Sequence, residues 1–312
     1  MVRILGFFVG LGFVGVAAWS LLWGVIAVSQ DGLPHTVEHD FHAEPRDIEF
    51  SFAGPLGRFD RQQLQRGFQV YRDVCASCHG LGLVAFRNLH DLGYTEAEVR
   101  AIASQWPIQV PSINPATGEP ATRAAIPSDR FPSPYANEVA ARAANNNALP
   151  PDLSLITKAR EGGPAYIASL LTGYTDAAAY RNANGDALPT ENRPGQGLHF
   201  NPYFANLNIA MPPPITADNQ VSYAPNNPPA TREQMAEDIA AFLHWAAEPS
   251  QDQRKDMGIV ALIFLIVATT FAYFSYRNIW ATAKRTVRPI GVLDPENMAR
   301  NEAANGDAGV AG

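Results

Sequence analysis

The amino-acid sequence predicts an all-α protein: one helical domain broken by long proline-rich loops, with an apolar helix near each end of the chain. Three observations predict it. Helix-start signals, some followed by apolar residues at helical spacing, recur through the middle of the chain. Prolines crowd the stretches between those signals, 25 in 312 residues, and they exclude regular helix or central strand there. Two uncharged apolar blocks, residues 4–28 and 257–276, are each long enough to span a bilayer as helix.

The first block follows Arg3, which places the N-terminus in the cytoplasm and sends the following chain outward. The block is longer than the core of a cleaved signal peptide, about 7–15 residues. Ala27-Val28-Ser29 is nevertheless a small-x-small cleavage pattern ahead of Gln30. Residues 1–29 are therefore a signal peptide or an N-terminal transmembrane anchor, and Gly6, Gly10, Gly12 and Gly15 would let a retained helix pack closely. Residues 30–56 are polar. His35, His39 and His42 cluster there, but no pattern sets the three rings on one side, so a solvated loop is expected.

Asp60 can cap a helix, and Leu64, Phe68, Tyr71 and Cys75 follow at spacings of four, three and four, so the helix should deliver Cys75 on its apolar face. Thr95-Glu96-Ala97-Glu98 is a capping box for a second helix. Pro107, Pro111, Pro115, Pro120, Pro127, Pro132 and Pro134 then impose a long irregular stretch, of the kind that is functional or disordered inside a compact domain. Residues 135–144 read as a short helix ended by Asn145, Asn146 and Asn147, and residues 148–154 as extended chain. Gly163-Pro164 opens another helix and Gly173 closes it. Residues 174–230 are again rich in Pro, Gly and Asn. Thr231-Arg232-Glu233-Gln234 is a second capping box, with Met235, Ile239, Phe242 and Ala246 behind it and Pro249 as the stop. After the second apolar block come Arg277, Lys284, Arg285 and Arg288, which place that end in the cytoplasm and the middle of the chain outside. Residues 296–312 read as a disordered tail. The expected organisation is residues 1–29 as signal or anchor, 30–250 as an exported domain, 255–280 as a transmembrane helix and 281–312 as a cytoplasmic, partly disordered tail.

The net charge of −7 hides an asymmetry: residues 31–254 carry 25 acidic and 16 basic side chains, and the remainder 5 and 7. An acidic body with basic ends argues against nucleic acid and suits a cationic protein partner.

The chemistry is concentrated in Cys75-Ala76-Ser77-Cys78-His79, which holds both cysteines of the chain. Two thiols three positions apart can each add to a vinyl group of one porphyrin, and the histidine that follows can bind its iron. A thioredoxin-like motif would need a βαβ pattern, which the flanking sequence lacks. A zinc site would need two more ligands at short spacing. One covalent haem c is the expected cofactor, and its attachment outside the cytoplasm agrees with export. Of the five methionines, Met211 in Ile209-Ala210-Met211-Pro212-Pro213-Pro214 is the best sixth ligand, on a strap stiffened by three prolines; a gap-filling core methionine is the alternative. No nucleophile, acid–base carboxylate pair or substrate pocket is legible.

These residues, with Ala140-Ala141-Arg142-Ala143-Ala144-Asn145-Asn146, Ala148-Leu149-Pro150-Pro151-Asp152-Leu153-Ser154, Ser169-Leu170-Leu171-Thr172-Gly173-Tyr174, Asn201-Pro202-Tyr203-Phe204 and Trp245-Ala246-Ala247-Glu248-Pro249, resemble the cytochrome c1 family. That family is the haem subunit of the ubiquinol–cytochrome c reductase (cytochrome bc1) complex. The resemblance runs in order from about residue 41 to 288. It implies a class I cytochrome c fold with long loop insertions, haem on Cys75 and Cys78, and His79 and Met211 as axial ligands. It implies that Arg160 neutralises a haem propionate in two-point contact, that Tyr71, Asn145 and Tyr166 line the pocket, and that Pro150 packs near the histidine, where a backbone carbonyl can fix the imidazole.

The implied role is one-electron relay, without catalysis by this subunit, from the Rieske iron–sulfur protein to a soluble or tethered cytochrome c. Quinol chemistry would belong to cytochrome b. The complex is expected to be dimeric and to sit in the inner membrane, with the haem domain periplasmic. A membrane-anchored cytochrome donating to a terminal oxidase is the nearest alternative; a haem-based sensor or a zinc-binding module is more distant. Two departures from the family pattern stand out: Asn147 occupies a position where many relatives have glycine, and the cysteine pair that some bacterial members carry before the methionine ligand is absent here, leaving the bracing of that loop open.

Overall fold

The computed structural model describes residues 2–31, 36–286 and 295–308. They are mostly helical and fall into two compact units, Met1–Pro249 and Ser250–Gly312. The second unit holds α8 (Gln251–Thr286) and α9 (Pro295–Ala308). α8 carries a stretch, Gln251–Ala281, long and apolar enough to cross a membrane. α9 corrects the expectation of a disordered tail. Pro295 fits the first helical position, Glu296 complements the positive helix end, and alanines fill the body. Arg288 and residues 309–312 lie outside the described residues.

In the first unit, α1 (Val2–Asp31) is a single helix with apolar side chains exposed on every face, and its stretch Arg3–Gln30 could also cross a membrane. His35 lies outside the described residues. Where a solvated loop was expected, Val37–Phe41 forms a short α2: Thr36 accepts a hydrogen bond from the His39 amide, and Phe41 anchors the turn by burial.

α3 (Arg61–Asp73) begins as its sequence dictates, with the Asp60 carboxylate accepting from the Gln62 amide at 2.9 Å. Leu64, Phe68 and Tyr71 point into the core. The helix does not reach Cys75. Val74 takes φ −122° and ψ −57°, which turns the chain out of the α-helix and into a tighter 3-10 turn at Cys75–Ser77. A second 3-10 turn, Phe86–Leu92, precedes α4 (Glu96–Ser104), whose capping box is complete: Thr95 N–H donates to Glu98 at 2.7 Å and Glu98 N–H to the Thr95 hydroxyl at 3.3 Å.

The first proline-rich stretch is not wholly irregular. β1 (Val110–Ile113) and β2 (Pro120–Arg123) pair antiparallel, Val110 opposite Arg123. Both strands of a two-stranded hairpin are edges, so Pro111 and Pro120 are tolerated. α5 (Glu138–Ala144) starts later than the expected residue 135, because Asn137 caps it through the Ala140 amide. α6 spans Gly163–Thr172 with proline in its first turn and Gly173 as its cap. β3 (His199–Phe200) pairs with β4 (Asn208–Ile209), and α7 (Arg232–Ala247) follows. Thr231 accepts from the Gln234 amide as expected, but the Gln234 side chain turns to Asp238 instead of closing the box.

α7 is buried along most of its length and packs between α3 and α6. At its crossing with α3 the backbones nearly touch: a Cβ on Gly67 would lie 2.1 Å from the Asp238 carbonyl oxygen and 2.6 Å from Phe242 Cβ. Beside that contact the Arg66 guanidinium grips the Asp238 carboxylate with two bonds, Nε–Oδ2 at 2.8 Å and Nη2–Oδ1 at 3.0 Å. Phe68, Tyr71, Phe86, Trp106, Phe131, Phe242 and Trp245 form the aromatic centre of the core around this crossing.

Removing one partner of a buried ion pair strands the other charge, whereas replacing both with apolar groups is far less costly. Asp238→Leu should lower the unfolding free energy by about 3–5 kcal/mol. Arg66→Met/Asp238→Leu should recover most of that loss. Urea midpoints of the full chain in detergent check both.

Candidate functional site

The turn that follows α3 sets out the reactive groups. The amides of Cys78 and His79 both donate to the Cys75 carbonyl, at 3.1 and 2.9 Å, so the two cysteines sit at the start and end of one tight turn. Both thiols are free and half-buried. Burial pushes the Cys75 thiol up to about 12, with Cys78 adding to the shift. His79 Nδ1 lies 2.8 Å from the Pro151 carbonyl, so that nitrogen carries the proton and donates it; the Nε2 lone pair is left for a metal. Burial lowers the pKa of His79 despite the opposing pull of that hydrogen bond and of Asp152, which favours the neutral, ligating imidazole. The buried Tyr71 hydroxyl donates to the His79 carbonyl at 3.2 Å, and burial raises its pKa far above the ordinary phenol range.

Met211 is half-buried and packs on the same core as Tyr71, Cys75, Leu153 and Tyr166. The chain that leads to it is tied down at two points. Asn201 Nδ2 donates to the Leu170 carbonyl at the end of α6, at 2.7 Å, and the Tyr174 hydroxyl donates to the Met211 carbonyl at 3.0 Å. Gly173 is needed where the strap presses on α6, since a Cβ there would lie 2.4 Å from the Tyr203 ring. The loop that lacks a cysteine pair is braced instead by its own small core of Phe41, Ala177, Leu188, Phe200 and Leu207.

These residues fit one covalently held haem c: two free thiols on one turn, a histidine whose Nδ1 is fixed by a carbonyl, and Met211 partly buried against the same core as Cys75. A family model described as the Cytochrome C1 family matches residues 50–283. The chain belongs to the cytochrome c1 family.

It is 42% identical over 274 residues to the mitochondrial cytochrome c1 1 haem protein of Arabidopsis thaliana, covering 88% of this chain and 82% of that protein. Against a cytochrome c1 of Rhodospirillum rubrum it is 42% identical over 241 residues, 76% of this chain and 87% of that one. A protein of Bradyrhizobium diazoefficiens named cytochrome b/c1 is 42% identical over 259 residues, 76% of this chain and 36% of that protein. Cytochrome c1 proteins carry one covalent haem c and are the electron-transfer subunit of the cytochrome bc1 complex, working with cytochrome b and the Rieske protein. The two apolar helices accord with a membrane-associated member of the family.

The remaining expected pocket residues are placed less uniformly. Arg160 is exposed, donates to the Ala159 carbonyl at 2.9 Å, and sits against the Tyr166 phenol, where its charge offsets part of the rise that burial imposes on that group. Two residues before it, Lys158 pairs with Glu248 at the end of α7, tying this loop to the helical frame. Pro150 is half-buried, but the carbonyl that holds His79 belongs to its neighbour, Pro151. Asn145 ends α5 and spends its amide on the Tyr135 hydroxyl and the Ala141 carbonyl, so it shapes the 135–145 loop. Sequence reasoning assigned no role to Asp152, Tyr174 or Asn201, although each stands inside a motif that carried the family resemblance.

Asn147, where the family resemblance led glycine to be expected, takes φ +64° and Asn146 φ +51°. That is the left-handed region, which asparagine enters more readily than any residue with a bulkier Cβ substituent. Asn147→Ala should therefore cost about 1 kcal/mol while Asn147→Gly is close to neutral. Thermal unfolding of the two variants reads the difference.

Proposed function

We propose that Cys75 and Cys78 hold the haem of this cytochrome c1 by thioether bonds, with His79 and Met211 as its axial ligands, in a class I cytochrome c fold elaborated by proline-rich loops. The observation that carries the reading is the fixed His79 ring: a histidine directly after two free thiols, its Nδ1 proton committed to the Pro151 carbonyl at 2.8 Å. When bound, the haem supplies a one-electron carrier whose thioether ligand raises the reduction potential relative to a second histidine. The protein's part is to hold both ligands still. The Pro151 carbonyl fixes the imidazole, the Tyr174 hydroxyl fixes the backbone of Met211, and the buried phenol of Tyr71 stays protonated beside them. Arg160, beside Tyr166, is the group to meet a haem propionate, and Asn145, Pro150 and Tyr166 complete the surroundings.

Electrons would arrive from the Rieske iron–sulfur protein and leave to a cytochrome c, within a dimeric complex that contains cytochrome b. The relative whose name joins cytochrome b and c1 supports the association with cytochrome b. Arg3 before the first apolar block and Arg277, Lys284, Arg285 and Arg288 after the second support a periplasmic haem domain and a cytoplasmic C-terminus in an inner membrane. The domain that would hold the haem is acidic on balance, with 25 acidic against 16 basic residues over 31–254. Opposed charge on the acceptor would raise encounter rates more than lasting affinity, which suits rapid turnover.

Met211→Leu tests the ligand assignment. Loss of the sulfur-to-iron charge-transfer band together with a lower midpoint potential is expected; an unchanged spectrum would move the sixth ligand to another residue. Electrostatic exit is tested by salt. The Debye length falls from about 30 Å at 0.01 M to about 10 Å at 0.1 M, so the second-order rate of reduction of a basic cytochrome c should fall several-fold over that range. A flat rate would point to docking through apolar contacts.

A further inference from the structure

We propose that Asp152 is the positioning residue of the His79 ligand: its carboxylate, held by backbone amides of its own loop and of the loop that follows the histidine, aims the Pro151 carbonyl at the imidazole and fixes a negative charge beside it. The inference rests on the reading of His79 as an iron ligand. The carboxylate is held from both sides. Gly82 N–H donates to Oδ2 at 2.7 Å and Ser154 N–H to Oδ1 at 2.8 Å, so each oxygen receives its own backbone donor. Such bonds to an ionised acceptor are short and about twice as strong as neutral ones. The same two segments are stitched further by Leu153 N–H to the Gly80 carbonyl at 2.9 Å and Leu83 N–H to the Ser154 hydroxyl at 3.0 Å.

The Pro151 carbonyl is the peptide oxygen directly preceding Asp152. Whatever orients Asp152 therefore orients the acceptor of the His79 proton. The sequence around the carboxylate allows this close approach. A Cβ on Gly80 would lie 3.1 Å from Oδ2, and one on Gly82 3.2 Å, both tighter than ordinary contact. Two glycines flanking Leu81 let the backbone close on the oxygen. The charge lies one residue from the carbonyl that meets His79 Nδ1 at 2.8 Å.

A well-placed carbonyl draws on the Nδ1 proton and enriches Nε2 in electrons, and a nearby anion favours a positive centre; both effects stabilise the oxidised iron. Removing the charge should make reduction easier. Asp152 is exposed, so solvent screens its field and the effect on the reduction equilibrium is several-fold.

The test is redox potentiometry of the haem-loaded full chain in its complex, with the oxidised spectrum recorded in parallel. Asp152→Asn should raise the midpoint potential, and Asp152→Glu should return it close to the starting value. If the asparagine variant does not accumulate, Asp152→Ser supplies a neutral side chain that can still accept one amide bond and should raise the potential in the same way. A potential unmoved by the neutral variants, or moved as far by glutamate as by asparagine, would overturn the proposal and leave Asp152 a loop staple. The underlying ligand reading fails by a different result: unmodified protein whose oxidised spectrum is not that of histidine–methionine ligation.

Discussion

The crossing of α3 over α7 is the constraint on which the rest of the haem domain depends. At Gly67 the helices approach until no side chain fits between them, with the Asp238 carbonyl 2.1 Å from where a Cβ would stand. One residue earlier, Arg66 reaches across to the buried Asp238 carboxylate, and the aromatic core closes around both. Close packing and a two-point ion pair together fix the position of α3 along and around α7. The turn bearing Cys75, Cys78 and His79 leaves the end of that fixed helix, so its place is inherited from the crossing.

The other half of the site is referred to the same frame through a second helix packed on α7. α6 packs there, and its C-terminal end holds the strap of Met211 through Asn201, Gly173 and Tyr174. The two proposed ligands are thus carried on irregular chain, while their positions are set by three helices that share one core. This division suits a carrier that must not rearrange between its two oxidation states. It also explains why long proline- and asparagine-rich loops are tolerated: they are tied to the frame at a few defined bonds.

Much of the frame was legible in the sequence because it depends on local chemistry. Asp60, Thr95 and Thr231 announce helix starts by accepting from orphan amides that any helix must satisfy, each does so in the structure, and Pro164 removes one such amide from the first turn of α6. Cys75, Cys78 and His79 stood out because covalent haem attachment demands that spacing, and the structure sets them on one turn. What escaped depends on contacts between distant segments. Gly67 reads as a helix-weakening residue until Asp238 is brought against it. The Asp238 side chain diverts Gln234 from its capping box. Val74 turns the chain out of α3 before Cys75 is reached, and the β1–β2 hairpin forms where proline density argued for irregular chain. Asp152 stood in plain view within Pro150-Pro151-Asp152-Leu153-Ser154, but its task appears only when Gly80 and Gly82 fold around it.

The central claim is that this frame brings the imidazole of His79 and the thioether of Met211 to the same iron. Near-infrared magnetic circular dichroism of the oxidised, unmodified protein tests it most directly, because the energy of the charge-transfer band identifies the axial pair. A low-spin histidine–methionine signature is the result predicted. A bis-histidine or high-spin signature would contradict the account, and with it the role assigned to the strap that Tyr174 holds.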